Sequence, residues 1–174
     1  MSEFGATLSP TEVRFERLLP GPIEMVWEFL VDSRKRGEWF ASGPMERRVG
    51  GKVKLRFKHS ELSPHAALPP ERYKEMDATG HDSEGEVTAF DPPRRLAFLW
   101  GSSEVVFDLE PKGDRVLLVL THRRLSGRGE QVDVLGGWHT HLAILVERAN
   151  GRTPRAFWDL FREIDGTYEE RVPR

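Results

Sequence analysis

Six histidines, five tryptophans and no cysteine set the chemical vocabulary of this 174-residue sequence. Histidine titrates near neutral pH, so general acid–base work would fall to it first. His122 closes an alternating run, Val116, Leu118 and Leu120, that points inward on a strand. His59 closes a second run, Val53, Leu55 and Phe57, and Arg17 shares inward parity with Val13, Phe15 and Leu19 on a third. A buried ionisable group is costly unless partnered. These three are therefore either a polar cluster that orients a ligand headgroup, or strand-end residues meeting solvent or backbone at a cavity mouth. His139-x-His141 invites a metal reading. Residues two apart on a helix diverge by about 200°, whereas chelation from a helix wants a four-residue step. No metal and no other cofactor is expected.

Nucleophile motifs are absent. Gly101-Ser102-Ser103 lacks the Gly-x-Ser-x-Gly elbow and falls in an expected hairpin. Asp108 and Glu110 have outward parity, as on a solvated face, and Arg34-Lys35-Arg36 reads as a solvated turn of helix. No nucleophile–base pair is legible, so catalysis by His122 or His141 is an alternative reading and not the leading one. Gly136-Gly137-Trp138 is the other feature with functional content. Glycine within a helix costs about 0.5–1 kcal/mol relative to alanine. Two in succession imply room for a ligand beneath the helix, close helix–sheet packing, or a kink.

The elements that must position these residues follow from periodicity. Residues 1–10 read as a flexible leader and 11–19 as a strand. Pro22 opens a helix in which Ile23, Val26, Trp27 and Leu30 share a face. A short second helix begins near Asp32 or Ser33 and ends before Trp39. Residues 45–49 and 52–59 flank Gly50-Gly51 as an expected hairpin. Residues 60–80 carry Pro64, Pro69 and Pro70 and read as a long loop with one helical turn at most. Strands over 85–90, 94–100, 104–109 and 115–125 are joined by short turns, which predicts an antiparallel meander. Then Val132, Leu135, Trp138, Leu142, Leu145 and Ala149 recur at helical steps as far as Asn150-Gly151. Thr153-Pro154 reads as the start of a last helix, with Phe157, Phe161, Ile164 and Tyr168 on one face. That stripe packs either on its own domain or against a second copy, so a homodimer is a possible assembly. An α+β fold is expected, with the helices covering one face of the sheet.

Composition narrows the classes. The apolar fraction is 38%, and 31% of residues are charged with a net of only −2. That balance gives no general reason to expect nucleic acid or an anionic membrane as partner. No apolar run approaches the ~20 residues a bilayer span needs, and residues 1–10 lack a signal-peptide pattern. No membrane insertion is expected, and the cytoplasm is the expected location.

Several spaced motifs resemble the bacterial Hsp90-ATPase-activator-homologue (AHSA1-like) branch of the START-like, SRPBCC helix-grip superfamily. They include Arg17 followed by Pro22 and Val26-Trp27, then Gly50-Gly51, then Gly85-x-Val87 before Asp91-Pro92-Pro93-Arg94-Arg95-Leu96. Phe98-x-Trp100, Glu104-Val105-x-Phe107-x-Leu109, Leu120-Thr121-His122 and Gly136-Gly137-Trp138 with His141-Leu142 complete the set. The resemblance covers residues 11–150. It implies a helix-grip (START-like) fold, a curved antiparallel sheet wrapped around a long C-terminal helix, with 151–174 as a helical extension packed on that domain or on a dimer partner. It further implies a cavity between sheet and helix for a small, mostly apolar molecule. The residues expected to bind it are Arg17, Trp39, Phe57, Trp100, Phe107, His122, Trp138, His141, Leu142 and Leu145. Some superfamily members catalyse cyclisation or hydrolysis. The eukaryotic namesake stimulates Hsp90 through a larger, multi-domain chain, so Hsp90 is a partner implied by the name more than by these residues.

Overall fold

The computed structural model describes residues 2–174. Its strands are β1 (Ala6–Ser9), β2 (Glu12–Pro20), β3 (Lys52–Phe57), β4 (His81–Asp91), β5 (Arg95–Trp100), β6 (Ser103–Lys112) and β7 (Arg115–Arg123). They form one seven-stranded antiparallel sheet in the order β1-β2-β7-β6-β5-β4-β3. Alternation selects the buried face. On β3, Val53, Leu55 and Phe57 are buried, while Lys52, Lys54 and Arg56 stand outside opposite Glu86, Glu84 and Asp82 of β4. The sheet curves partly through irregularities on β4, whose register shifts between Val87 and Ala89. Gly85 belongs to that bend, because a Cβ there would overlap the Leu99 carbonyl oxygen of β5.

The helices are α1 (Ile23–Val31), α2 (Ser33–Gly37), α3 (Lys74–Thr79), α4 (Arg128–Ala149), α5 (Phe157–Ile164) and α6 (Thr167–Arg171). The sheet wraps around α4, which buries Leu135, Trp138, Leu142, Ile144 and Leu145. Burying one such side chain contributes on the order of 1.5–3 kcal/mol, so this seam is a substantial part of what holds helix and sheet together. α1 covers the far end of the sheet with Val26, Trp27 and Leu30, and Trp27 lies 5.6 Å from the ring of Phe90. Asp32 caps α2 by accepting from the Lys35 N–H at 2.9 Å, which satisfies a donor the first helical turn leaves free.

Five local expectations are corrected. Within the expected leader, Ala6–Ser9 pair with β2 as an edge strand; Met1 lies outside the described residues. Residues 45–49 form no strand, and only isolated bridges, Met45 to Val53 and Ser42 to Arg56, cover the edge of β3. The 60–80 segment holds two 3-10 turns and α3 rather than one turn at most. The last helix starts at Phe157, not at Thr153-Pro154, and the chain breaks again at Gly166, where φ is +88°, before α6. Finally, Arg36 is not solvated. It is 2% exposed and donates to the carbonyls of Ala41, Leu30, Val31 and Gly43, so it ties the α1–α2 corner to the following segment. Helical charge runs look solvated in sequence because the carbonyl partners of a buried guanidinium leave no sequence trace.

The tail stripe is covered by its own chain. Phe157, Trp158, Phe161, Ile164 and Tyr168 are all buried. Tyr73 stacks 5.4 Å from Trp158, Ser63 Oγ donates to the Pro154 carbonyl at 2.8 Å, and Arg72 pairs with Asp165 at 2.8 Å. The 60–80 segment and the tail thus brace one another over the outer side of α4. The stripe of Phe157, Phe161, Ile164 and Tyr168 packs on its own domain.

Candidate functional site

A pocket of about 230 Å³ opens between α4, the inner face of the sheet and the 60–80 segment. Its floor is aromatic. Phe40 stacks on Trp138 at 4.8 Å, and Phe57 stacks on Trp100 at 5.4 Å with 10° between the rings. His59, His81 and His141 contribute imidazoles, Met76 comes from α3, and Asp133, Val134 and Gly137 come from α4. A second cavity of about 460 Å³ shares Trp100 and Val134 with the first, and adds His122, Ser103, Glu84 and Glu130.

α4 sets this geometry. Asp133, Gly137 and His141 are four residues apart, so they recur on one helical face, with Val134 and Trp138 beside them. A Cβ at Gly137 would meet no atom within 4 Å, whereas one at Gly136 would touch Phe161 at an ordinary 3.8 Å. The kink and close-packing readings of the glycine pair are thus unnecessary for Gly137, which leaves open space on the pocket side.

The ten residues expected to bind a ligand are distributed as follows. Phe57, Trp100, Trp138 and His141 line the pocket, and His122 lines the adjoining cavity. Trp39, Phe107, Leu142 and Leu145 are buried one layer behind it. Trp39 donates its indole N–H to the Phe29 carbonyl at 2.8 Å, and Phe107 lies edge-on to Trp138 at 6.0 Å. Arg17 is buried but turned elsewhere. It donates to the carbonyls of Glu16 and Glu3, both at 2.7 Å, which fastens the N-terminal segment. Strand parity placed Arg17 on the inner face correctly, but parity does not say which neighbour a long side chain reaches. Arg17 and His122 therefore do not meet in one polar cluster. Phe40, Met76, His81, Asp133 and Val134 are pocket residues that the sequence did not single out, whereas Gly137 stood in it as a candidate for ligand room. The four-residue spacing of Asp133, Gly137 and His141 was the available signal.

At His122 and His141 the hydrogen-bond partners fix which ring nitrogen carries the proton of the neutral imidazole. Trp138 donates its indole N–H to His122 Nδ1 at 3.0 Å. An indole nitrogen can only donate, so Nδ1 holds a lone pair and the neutral ring carries its proton on Nε2. That proton points at Ser103 Oγ, 2.7 Å away, and Ser103 in turn donates to the Trp100 carbonyl at 2.9 Å. A serine–histidine pair is therefore present although no sequence motif announced it. Its polarity is opposite to that of an activated nucleophile, because His122 gives a proton to Ser103 and has no free lone pair to take one. Burial holds His122 down at about 4, so it is neutral at pH 7. At His141, Nδ1 is 2.8 Å from the Trp39 carbonyl, which can only accept; Nε2 is thus an acceptor. Burial, then the neighbouring His59, pushes His141 down to about 3, and burial pushes His59 to about 4.

His139 faces the tail. Its Nδ1 is 2.8 Å from the Tyr168 hydroxyl, which also accepts from the Gly5 N–H at 2.8 Å. The two imidazoles of His139-x-His141 therefore diverge. Among the described residues no group of three or more His, Asp or Glu is placed to share a metal ion. No helix among them is long and apolar enough to cross a membrane.

Replacing Trp138 by Phe removes the donor to Nδ1 and frees His122 to change tautomer. The substitution should cost about 1–3 kcal/mol, the range for an unpaired buried polar group. Nitrogen-15 NMR of the His122 ring should show the Nδ1-protonated form gaining population. A ring still protonated only on Nε2 would show that Trp138 does not set the tautomer.

Comparison with known proteins bears on the fold and the family. Residues 20–150 match the family model described as Activator of Hsp90 ATPase homolog 1-like protein. A protein of Bordetella parapertussis with a solution NMR structure is 41% identical, with a TM-score of 0.82, over 98% of this chain and 91% of its own. CalU16 of Micromonospora echinospora is 21% identical with a TM-score of 0.64, over 96% of this chain and 93% of its own. The Aha1 dimer of Colwellia psychrerythraea is 14% identical with a TM-score of 0.60, over 79% of this chain and 95% of its own. The last two likenesses concern the fold alone. No curated protein matches the chain.

Proposed function

The chain belongs to the Activator of Hsp90 ATPase homolog 1-like family, and from that premise we propose that it binds a small, mostly apolar molecule in the pocket beside α4. The observation that carries this reading is Gly137. A position in the middle of a 22-residue helix holds the residue that costs helix stability, and the space its missing side chain leaves belongs to the pocket. Aromatic walls with a few placed polar groups are the usual make-up of a small-molecule site. Here the walls are Phe40, Phe57, Trp100 and Trp138, and the polar group set deepest is His141, with an acceptor nitrogen. In this reading residues 11–150 form the binding domain, and the segments on either side brace it.

The test is uptake of an apolar fluorescent probe, N-phenyl-1-naphthylamine, by the purified protein. Saturable binding of about one probe per chain is expected, with a Kd on the order of 10 µM for a pocket of this size and apolarity. A linear, non-saturating response would sink the proposal.

A further inference from the structure

The two cavities beside α4 share a sign of charge. Three carboxylates line them, Asp133, Glu130 and Glu84, and neither a lysine nor an arginine does. The chain as a whole has 26 basic and 28 acidic residues, so this local excess is not inherited from composition. Glu130 accepts from the Ser126 N–H and hydroxyl, which hold its carboxyl below the usual range and keep it ionised. Asp133 is exposed at the mouth and makes no hydrogen bond or ion pair among the described residues. Partial desolvation raises its pKa, and the nearby Glu130, Asp165 and Glu169 add to this. Arg72, whose field opposes that rise, is itself held by Asp165 at 2.8 Å. An added cation at the mouth would relieve the crowding of like charges.

A second, independent observation lies deeper. His141 is 5% exposed and lines the same pocket. Its Nδ1 is committed to the Trp39 carbonyl, and its Nε2 acceptor makes no hydrogen bond among the described residues. From Asp133 to His141 the helix rises about 12 Å, with Gly137 midway on the same face. The face thus runs from an unpaired carboxylate, across an open gap, to an unpaired imidazole lone pair.

We propose that the pocket takes an elongated apolar molecule bearing a protonated amine, with the ammonium at the Asp133 end, the apolar body over Gly137, and a hydrogen-bond donor toward His141. The inference rests on the reading that this pocket binds a small molecule. Aromatic faces reinforce the choice of sign, since they attract cations and not anions.

Three naphthalene probes matched in shape separate the two claims: naphthylethylamine, ethylnaphthalene and naphthylacetate. Each competes against N-phenyl-1-naphthylamine at low ionic strength, with the His141 ring followed by NMR. The amine should displace at about fivefold lower concentration than the neutral probe, and the carboxylate should be weakest, as expected for charges a few ångströms away across partly hydrated space. Asp133→Asn should bring the amine down to the neutral level, and salt should do the same. The His141 resonances should shift with each probe that binds. Equal affinity for amine and neutral probe, tighter binding of the carboxylate, or an amine preference untouched by Asp133→Asn would overturn the charge assignment and leave the pocket reading standing. Binding that leaves His141 unshifted would overturn the placement along α4. If none of the three displaces N-phenyl-1-naphthylamine, this inference fails and the pocket reading stands on that probe's own uptake; if that probe itself does not bind saturably, both fail.

Discussion

Lowering the pH from about 7.5 to about 5 should destabilise this protein by several kcal/mol, with most of the loss below pH 6.5. The cause is a set of histidines buried neutral. His122 and His59 are held near 4, His139 near 4 and His141 near 3, each first by burial. In the unfolded chain each returns to about 6.5. Between these values the unfolded state binds more protons than the folded one, so stability rises with pH. It is fully present above 6.5 and is lost as the pH falls towards 4. At pH 5 the difference amounts to roughly 2 kcal/mol for each fully buried ring. His122 and His141, at 2% and 5% exposed, are the two to which that figure applies. Losing both shares is a large part of a typical domain stability of about 5–15 kcal/mol.

The window from 6.5 to 5 is informative because carboxylates barely titrate within it. Asp32, Glu46, Glu104 and Glu147 are all held below their ordinary values, so their losses begin at lower pH. Urea unfolding at several pH values measures the slope directly. His141→Gln should flatten it by about one histidine's share, whatever that variant's absolute stability. A stability that stays level from pH 7.5 to 5 would show that the rings are not held neutral. That result would also remove the acceptor role assigned to His141 Nε2.

The fold was legible because burial is periodic and local. Val53, Leu55 and Phe57 announce β3 in three residues, and the stripe from Leu135 to Leu145 announces α4. Where pairing is irregular the pattern misleads. Residues 45–49 have strand-like composition, yet they meet β3 through single bridges because the chain there is busy turning at Gly50 and Gly51. The site was legible by layer more than by residue. Trp138 and His141 were placed correctly on the inner face of α4, while Trp39, Phe107, Leu142 and Leu145 belong to the core behind it. Hydrophobicity marks what is inside and does not separate wall from filling. Ser103 and His122 come together only through the β6–β7 register, where Val105 faces His122 and Glu104 faces Arg123. No local pattern carries that pairing, so the serine partner and the proton polarity it imposes became readable only from the folded chain.

Replacing Gly137 by leucine should abolish ligand binding while leaving the protein at least as stable as before. A leucine at this position gains helix propensity of about 0.8–1 kcal/mol over glycine. Its Cβ meets no atom within 4 Å, so the first carbon costs nothing sterically. The rest of the side chain must then enter the pocket between Trp138 and His141, whose volume is about 230 Å³. Probe affinity should fall by about a hundredfold or more, because the displaced contacts are most of what a ligand of that size makes. Gly136→Ala is the matched control. Its methyl would sit at ordinary contact distance from Phe161, outside the pocket, and should leave binding intact with a similar gain in helix stability. Thermal unfolding and probe titration of both variants give the answer in two measurements each. A Gly137→Leu protein that still binds would place the probe elsewhere, and one that unfolds would mean the glycine serves packing. Binding lost with stability kept would identify Gly137 as a residue held for the pocket against the preference of its own helix.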